Sequence, residues 1–91
     1  MKVNLTNIET MLNGMLNQTI TREEASDWAI QARRMKDKGL LIYEPEEAES
    51  IIWDAIQFLE TIDMQNSPGV YLYGEDDIKI YAQQIATSHN K

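Results

Sequence analysis

Ala48, Ile51, Ile52, Ala55, Leu59 and Ile62 fall within one sector of a helix wound at about 100° per residue, with Phe58 and Ile56 at the sector's two edges. An apolar stripe of this density has to be covered, so the remaining segments are constrained to pack against it. Pro45 suits a first-turn position, and Glu46 and Glu47 follow where carboxylates favour exposed N–H groups. The pattern predicts a helix from Pro45 to about Ile62 that forms the spine of the core.

Helix-start and helix-stop signals predict three more helices. Leu5, Ile8, Leu12 and Leu16 share one face of a helix over 5–16, with Asn4 or Thr6 as its cap. Thr21-Arg22-Glu23-Glu24 is a capping box, in which the Thr21 hydroxyl accepts from a backbone N–H and Glu24 reaches back to the cap. The helix it opens should bury Ala25, Trp28, Ala29, Ala32 and Met35. Arg33, Arg34, Lys36 and Lys38 gather at its end, where cations suit the free carbonyls, and Gly39 can take the left-handed conformation that stops it. Glu75, Asp76 and Asp77 open a last helix burying Ile78, Tyr81, Ala82 and Ile85, and the tail over 87–91 is expected to fray.

Between these helices, Leu40 to Tyr43 reads as a buried loop, because a lone strand would leave its backbone groups unpaired. Asn66-Ser67-Pro68-Gly69 reads as a turn, with Val70 to Tyr73 packing down on the bundle. The expected fold is all-α, a compact bundle of about four helices in a single domain over residues 1–91.

Size and charge then narrow the function. A chain of 91 residues buries only about 60% of its unfolded surface, which leaves little volume for a deep pocket. It contains no cysteine, so it offers no disulfide or thiolate site, and it shows neither a signal-peptide pattern nor a membrane-length apolar run. A cytoplasmic location is expected. Eight basic against 15 acidic residues give a net charge of −7, which repels phosphate backbones and anionic lipid and makes nucleic acid and membranes poor expected partners. Between Gly39 and Ile78 there are ten acids and no lysine or arginine. That segment reads as an acidic surface without local partners, complementary to a basic protein.

Catalytic chemistry finds little support. The sole histidine, His89, lies two residues from the end of the sequence, and the four glycines are scattered singly, without a phosphate-binding loop. Glu75-Asp76-Asp77 lacks the alternating oxygens of a calcium loop. No catalytic, cofactor-binding or metal-binding residue is expected, and the chain is not expected to be an enzyme. The two tryptophans differ: Trp28 lies in line with alanines that would let it fill a core site, whereas Trp53 projects roughly 140° from the apolar sector, among Glu46, Glu49, Gln57 and Glu60. Either the Pro68 to Tyr73 segment covers Trp53, or the ring is an interface anchor ringed by acids.

The run from Thr19 to Ala29, then Ile52-Trp53-Asp54-Ala55-Ile56, and the Ser67-Pro68-Gly69-Val70-Tyr71-Leu72 turn resemble the small bacterial immunity-protein-like chains that accompany polymorphic or contact-dependent toxins. The resemblance implies a cytosolic partner that neutralises a toxin domain by covering its active surface. Together with the charge pattern, it suggests a non-enzymatic module binding a basic toxin domain through Glu46, Glu49, Trp53, Glu60, Tyr71, Tyr73, Glu75, Asp76 and Asp77. The alternative is a structural or adaptor module that self-associates, with Trp53 and Tyr71 at a homodimer interface.

Overall fold

The computed structural model describes residues 1–89. The first helix, α1 (Leu5–Leu16), follows a short strand, β1 (Lys2–Asn4). Its cap is reciprocal: the Asn7 backbone N–H donates to Asn4 Oδ1 at 2.8 Å, and the Asn4 N–H donates to Asn7 Oδ1 at 3.0 Å. Gln18 takes a left-handed φ of 63° just past its end, and the N–H groups of Thr19 and Ile20 then turn back onto the Gly14 carbonyl at 2.8 and 3.1 Å. This return brings Ile20 down on Gly14, where a Cβ would collide with the isoleucine side chain.

Helix α2 (Arg22–Asp37) starts with the expected capping box, Glu24 N–H to Thr21 Oγ1 at 3.0 Å and Thr21 N–H to Glu24 Oε1 at 3.2 Å. It ends at Lys38, and Gly39 has a φ of 73°. The spine begins with a single 3-10 turn, Glu46–Ala48, and continues as α3 (Glu49–Glu60). The chain closes with α4 (Glu75–His89), so the expected frayed tail is helical as far as His89, and Asn90 and Lys91 lie outside the described residues.

Helix α1 packs on α4, and α2 on α3. Two polar ties from the start of α2 to the end of α3 make that pair antiparallel: Ser26 Oγ donates to the Glu60 carbonyl at 2.9 Å, and Arg22 Nη1 donates to the Ile62 carbonyl at 2.9 Å. The buried core between the helices is one cluster that includes Ile8, Leu12, Ile52, Ile56, Leu59, Ile62, Ile78 and Ile85.

Several sequence expectations need correction. The fold is mostly helical but not all-α, because it carries two small strand pairs. Leu40 to Tyr43 is not simply a buried loop: its second half enters strand β2 (Ile42–Glu44), which pairs in parallel with β1 and so finds the backbone partner that a lone strand would have lacked. The Pro68-Gly69 turn joins β3 (Gln65–Ser67) to β4 (Val70–Tyr71) as an antiparallel hairpin, and Val70 and Leu72 stay exposed, so only Tyr71 and Tyr73 fold inward.

The apolar sector of α3 is buried as expected at Ala48, Ile52, Ala55, Leu59 and Ile62, but it is wider than expected. Ile56 and Phe58, read as edge positions, are buried, while Ile51 is 38% exposed. Trp28, expected in the core, is half-buried at its rim, as is Trp53. Ala25, Ser26, Ala29 and Ala32 are the buried residues of α2, and at about 100° per residue Trp28 stands to one side of that stripe, so its ring reaches only the rim.

Candidate functional site

The antiparallel crossing of α2 and α3 brings the basic end of α2 onto the polar face of α3. There the Arg33 guanidinium pairs with the Glu60 carboxylate through Nε, which raises the already high pKa of the arginine. The Arg33 guanidinium carbon lies 5.3 Å from the centre of the Trp53 ring, and Lys36 Nζ lies 4.6 Å from it. Both are within cation–π range. Trp53 is therefore not an anchor ringed by acids alone: two cations of α2 lie on it.

These contacts also correct the picture of an acidic segment without local partners. Glu60 is paired with Arg33, and Glu44 lies 3.5 Å from Lys2, which the β1–β2 pairing carries alongside it. A sequence reading counts charges along the chain, whereas both partners come from outside the acidic segment by tertiary contact.

The expected binding residues fall into two groups at opposite ends of α2. Near the basic end, Glu46 and Glu49 are exposed and Trp53 is half-buried. Near the other end, Arg22 donates to the Tyr73 carbonyl at 2.7 Å and stacks over the Tyr71 ring at 4.1 Å, while Tyr73 meets Phe58 edge-on at 5.1 Å. Asp77 is committed to its own helix start, accepting from the Gly74 N–H at 3.0 Å, and Glu75 and Asp76 are exposed beside it. Fourteen residues of helix separate Arg22 from Lys36, about 21 Å at 1.5 Å per residue. The nine residues do not form one patch.

What does come together is a cleft bounded by the end of α2, β2 and the first turn of α3. Lys36, Tyr43, Glu49, Ser50 and Trp53 line a recess of about 270 Å³, and Leu41, Ile42, Tyr43, Glu46 and Glu49 line an adjoining one of about 430 Å³. Tyr43 and Glu49 belong to both. The Tyr43 hydroxyl is buried without a hydrogen-bond partner, and burial, followed by the nearby Glu49 carboxylate, pushes its pKa up. Lys36 lines the recess, Arg34 and Lys38 stand two positions either side of it along the end of α2, all three are exposed, and among the described residues none has a carboxylate within 4.0 Å. The Met1 nitrogen donates to the Leu40 carbonyl at 2.8 Å, which keeps β1 against the chain just beyond these cations.

The sequence pointed to Trp53 and Glu49 but missed Lys36 and Tyr43 as their neighbours. The basic cluster was legible as a run and is fully accounted for by the helix dipole at that level, since its juxtaposition with α3 is a tertiary fact. Among the described residues no group of three or more His, Cys, Asp or Glu side chains is placed to hold a metal ion, and no helix is long and apolar enough to cross a membrane.

Comparison with known proteins gives two matches. The family described as YxzC DNA-binding protein matches residues 2–85. The chain is similar to a curated Bacillus subtilis (strain 168) protein named Uncharacterized protein YxzC, with 33% identity over 85 residues, covering 91% of this chain and 62% of that protein. No solved structure matches. The chain thus spans less than two thirds of the length of this relative. The family match overturns the resemblance to toxin-immunity chains, and with it the expectation of a basic toxin domain as partner and the exclusion of nucleic acid. The physical reason for the error is that a net charge describes the molecule at a distance, while a binding surface depends on where the few cations are placed.

Proposed function

We propose, on the premise that the chain belongs to the YxzC DNA-binding protein family, that it binds DNA with the C-terminal end of α2, where Arg34, Lys36 and Lys38 meet the phosphate backbone. The observation that carries this reading is the exposure of those three cations, unpaired by any carboxylate among the described residues, on one end of an otherwise acidic molecule. Phosphate is repelled from the acid-rich starts of α3 and α4. Three exposed cations are clustered at this end, so the charge pattern orients the approach. Recognition of this kind is non-enzymatic, and we place it in the cytoplasm.

Three phosphate contacts set the scale. Each neutralised phosphate releases counterion and adds about 0.9 to the logarithmic salt slope on duplex DNA, and somewhat less on a single strand. A footprint this small belongs with affinities of about 10⁻⁴ to 10⁻⁶ M rather than nanomolar ones. The test is fluorescence anisotropy of labelled oligonucleotides at low salt, with the parent and the Arg34→Gln/Lys36→Gln/Lys38→Gln variant. Binding by the parent and its loss in the variant, with the helical circular dichroism of both unchanged, is the expected result. Equal binding by both would remove α2 from the interface, and no binding by the parent would refute the reading.

A further inference from the structure

We propose that the DNA taken by this site is single-stranded, with one base seated in the recess between α2, β2 and α3 and stacked on Trp53. The inference rests on the DNA-binding reading above and adds the state of the nucleic acid and the way it is held. Its first support is the ring itself. Trp53 is half-buried, lines the recess of about 270 Å³, and is overlaid by the ends of two long side chains, Lys36 at 4.6 Å and Arg33 at 5.3 Å. A cation on a partly exposed ring is held less strongly than a base stacked on the same ring, so a base can displace Lys36. Lys36, once released, is free to meet the phosphate of that nucleotide, leaving Arg34 and Lys38 for the phosphates that flank it.

The second support is the position of the carboxylates. Glu49 lines both recesses, and Glu46 lines the adjoining one, within the same cleft as Lys36 and Trp53. Phosphates of a duplex lying across the end of α2 would face these carboxylates. A single strand avoids that repulsion, because it can run its backbone along the cations and turn its bases inward. Glu49 then accepts from the amino or imino N–H groups on a base edge, and the Ser50 hydroxyl can donate or accept. Alternation of cations, aromatic ring and inward-facing acceptors matches the way single strands are held by stacking and a basic track.

The test uses the full chain. In a Trp28→Phe background, Trp53 is the remaining tryptophan, and its fluorescence is followed as a single-stranded oligonucleotide or the duplex of the same sequence is added at low salt. The single strand should quench Trp53 and bind at least several-fold more tightly than the duplex. Trp53→Ala should lower single-strand affinity by about tenfold or more, while Trp53→Phe retains most of it. The quenching readout stands even where Trp53→Ala folds poorly. Duplex bound as tightly as single strand, with Trp53 unquenched, would overturn this inference and leave DNA binding in place. Failure of both forms to bind would overturn the two together.

Discussion

Tyr43 offers a test of the cleft that needs no nucleic acid. Its hydroxyl is buried and unpartnered, and burial, then Glu49, raise its pKa above the ordinary phenol value. In the unfolded chain the phenol begins to ionise near pH 10, while the folded protein keeps the proton. The folded state thus binds more protons over that range, so stability is complete below about pH 10 and falls as pH rises through the folded value. Tyr43→Phe should flatten this alkaline loss in thermal midpoints measured from pH 7 to 11. At neutral pH the variant should be neutral or slightly stabilising, because it removes a buried hydroxyl that bonds to nothing. Matching alkaline losses in parent and variant would show that Tyr43 is solvated. At this scale the sequence singled out Trp53 but not its coverage, since Arg33 and Lys36 lie 20 and 17 positions away from it and no local pattern links them.

Helices were legible because their signals are local. The Thr21 capping box, the apolar face of α1 and the bounds of α1 follow from residues three or four apart. The strands were not legible, because strands of two or three residues are too short to show an alternation. The parallel pairing of Val3 with Tyr43 joins segments 40 residues apart, which no window of sequence can see. One local signal was absent where the structure needs it: Gln18 adopts a φ of 63° after α1, a position glycine fills without steric cost. Gln18→Gly should therefore relieve more strain than it adds in chain entropy, raising stability by about 0.5 kcal/mol. Denaturant midpoints decide this, and a destabilised variant would mean the Gln18 side chain contributes more than its backbone costs.

For the whole molecule, the structure changes how the charge of −7 is read. The helical, single-core architecture agrees with the sequence expectation, and the acidic excess is real, but its distribution leaves Arg34, Lys36 and Lys38 together at one end. The salt-dependent part of a DNA complex formed there should come from those three side chains. The measurement that tests this most directly is the salt dependence of the binding constant for the parent and for the single variants Arg34→Gln, Lys36→Gln and Lys38→Gln. Log K is expected to fall against log salt with a slope of about −2 to −3, and each substitution to reduce its magnitude by about one. A slope near zero, or one that none of the three substitutions changes, would contradict the claim that this end of α2 holds the DNA.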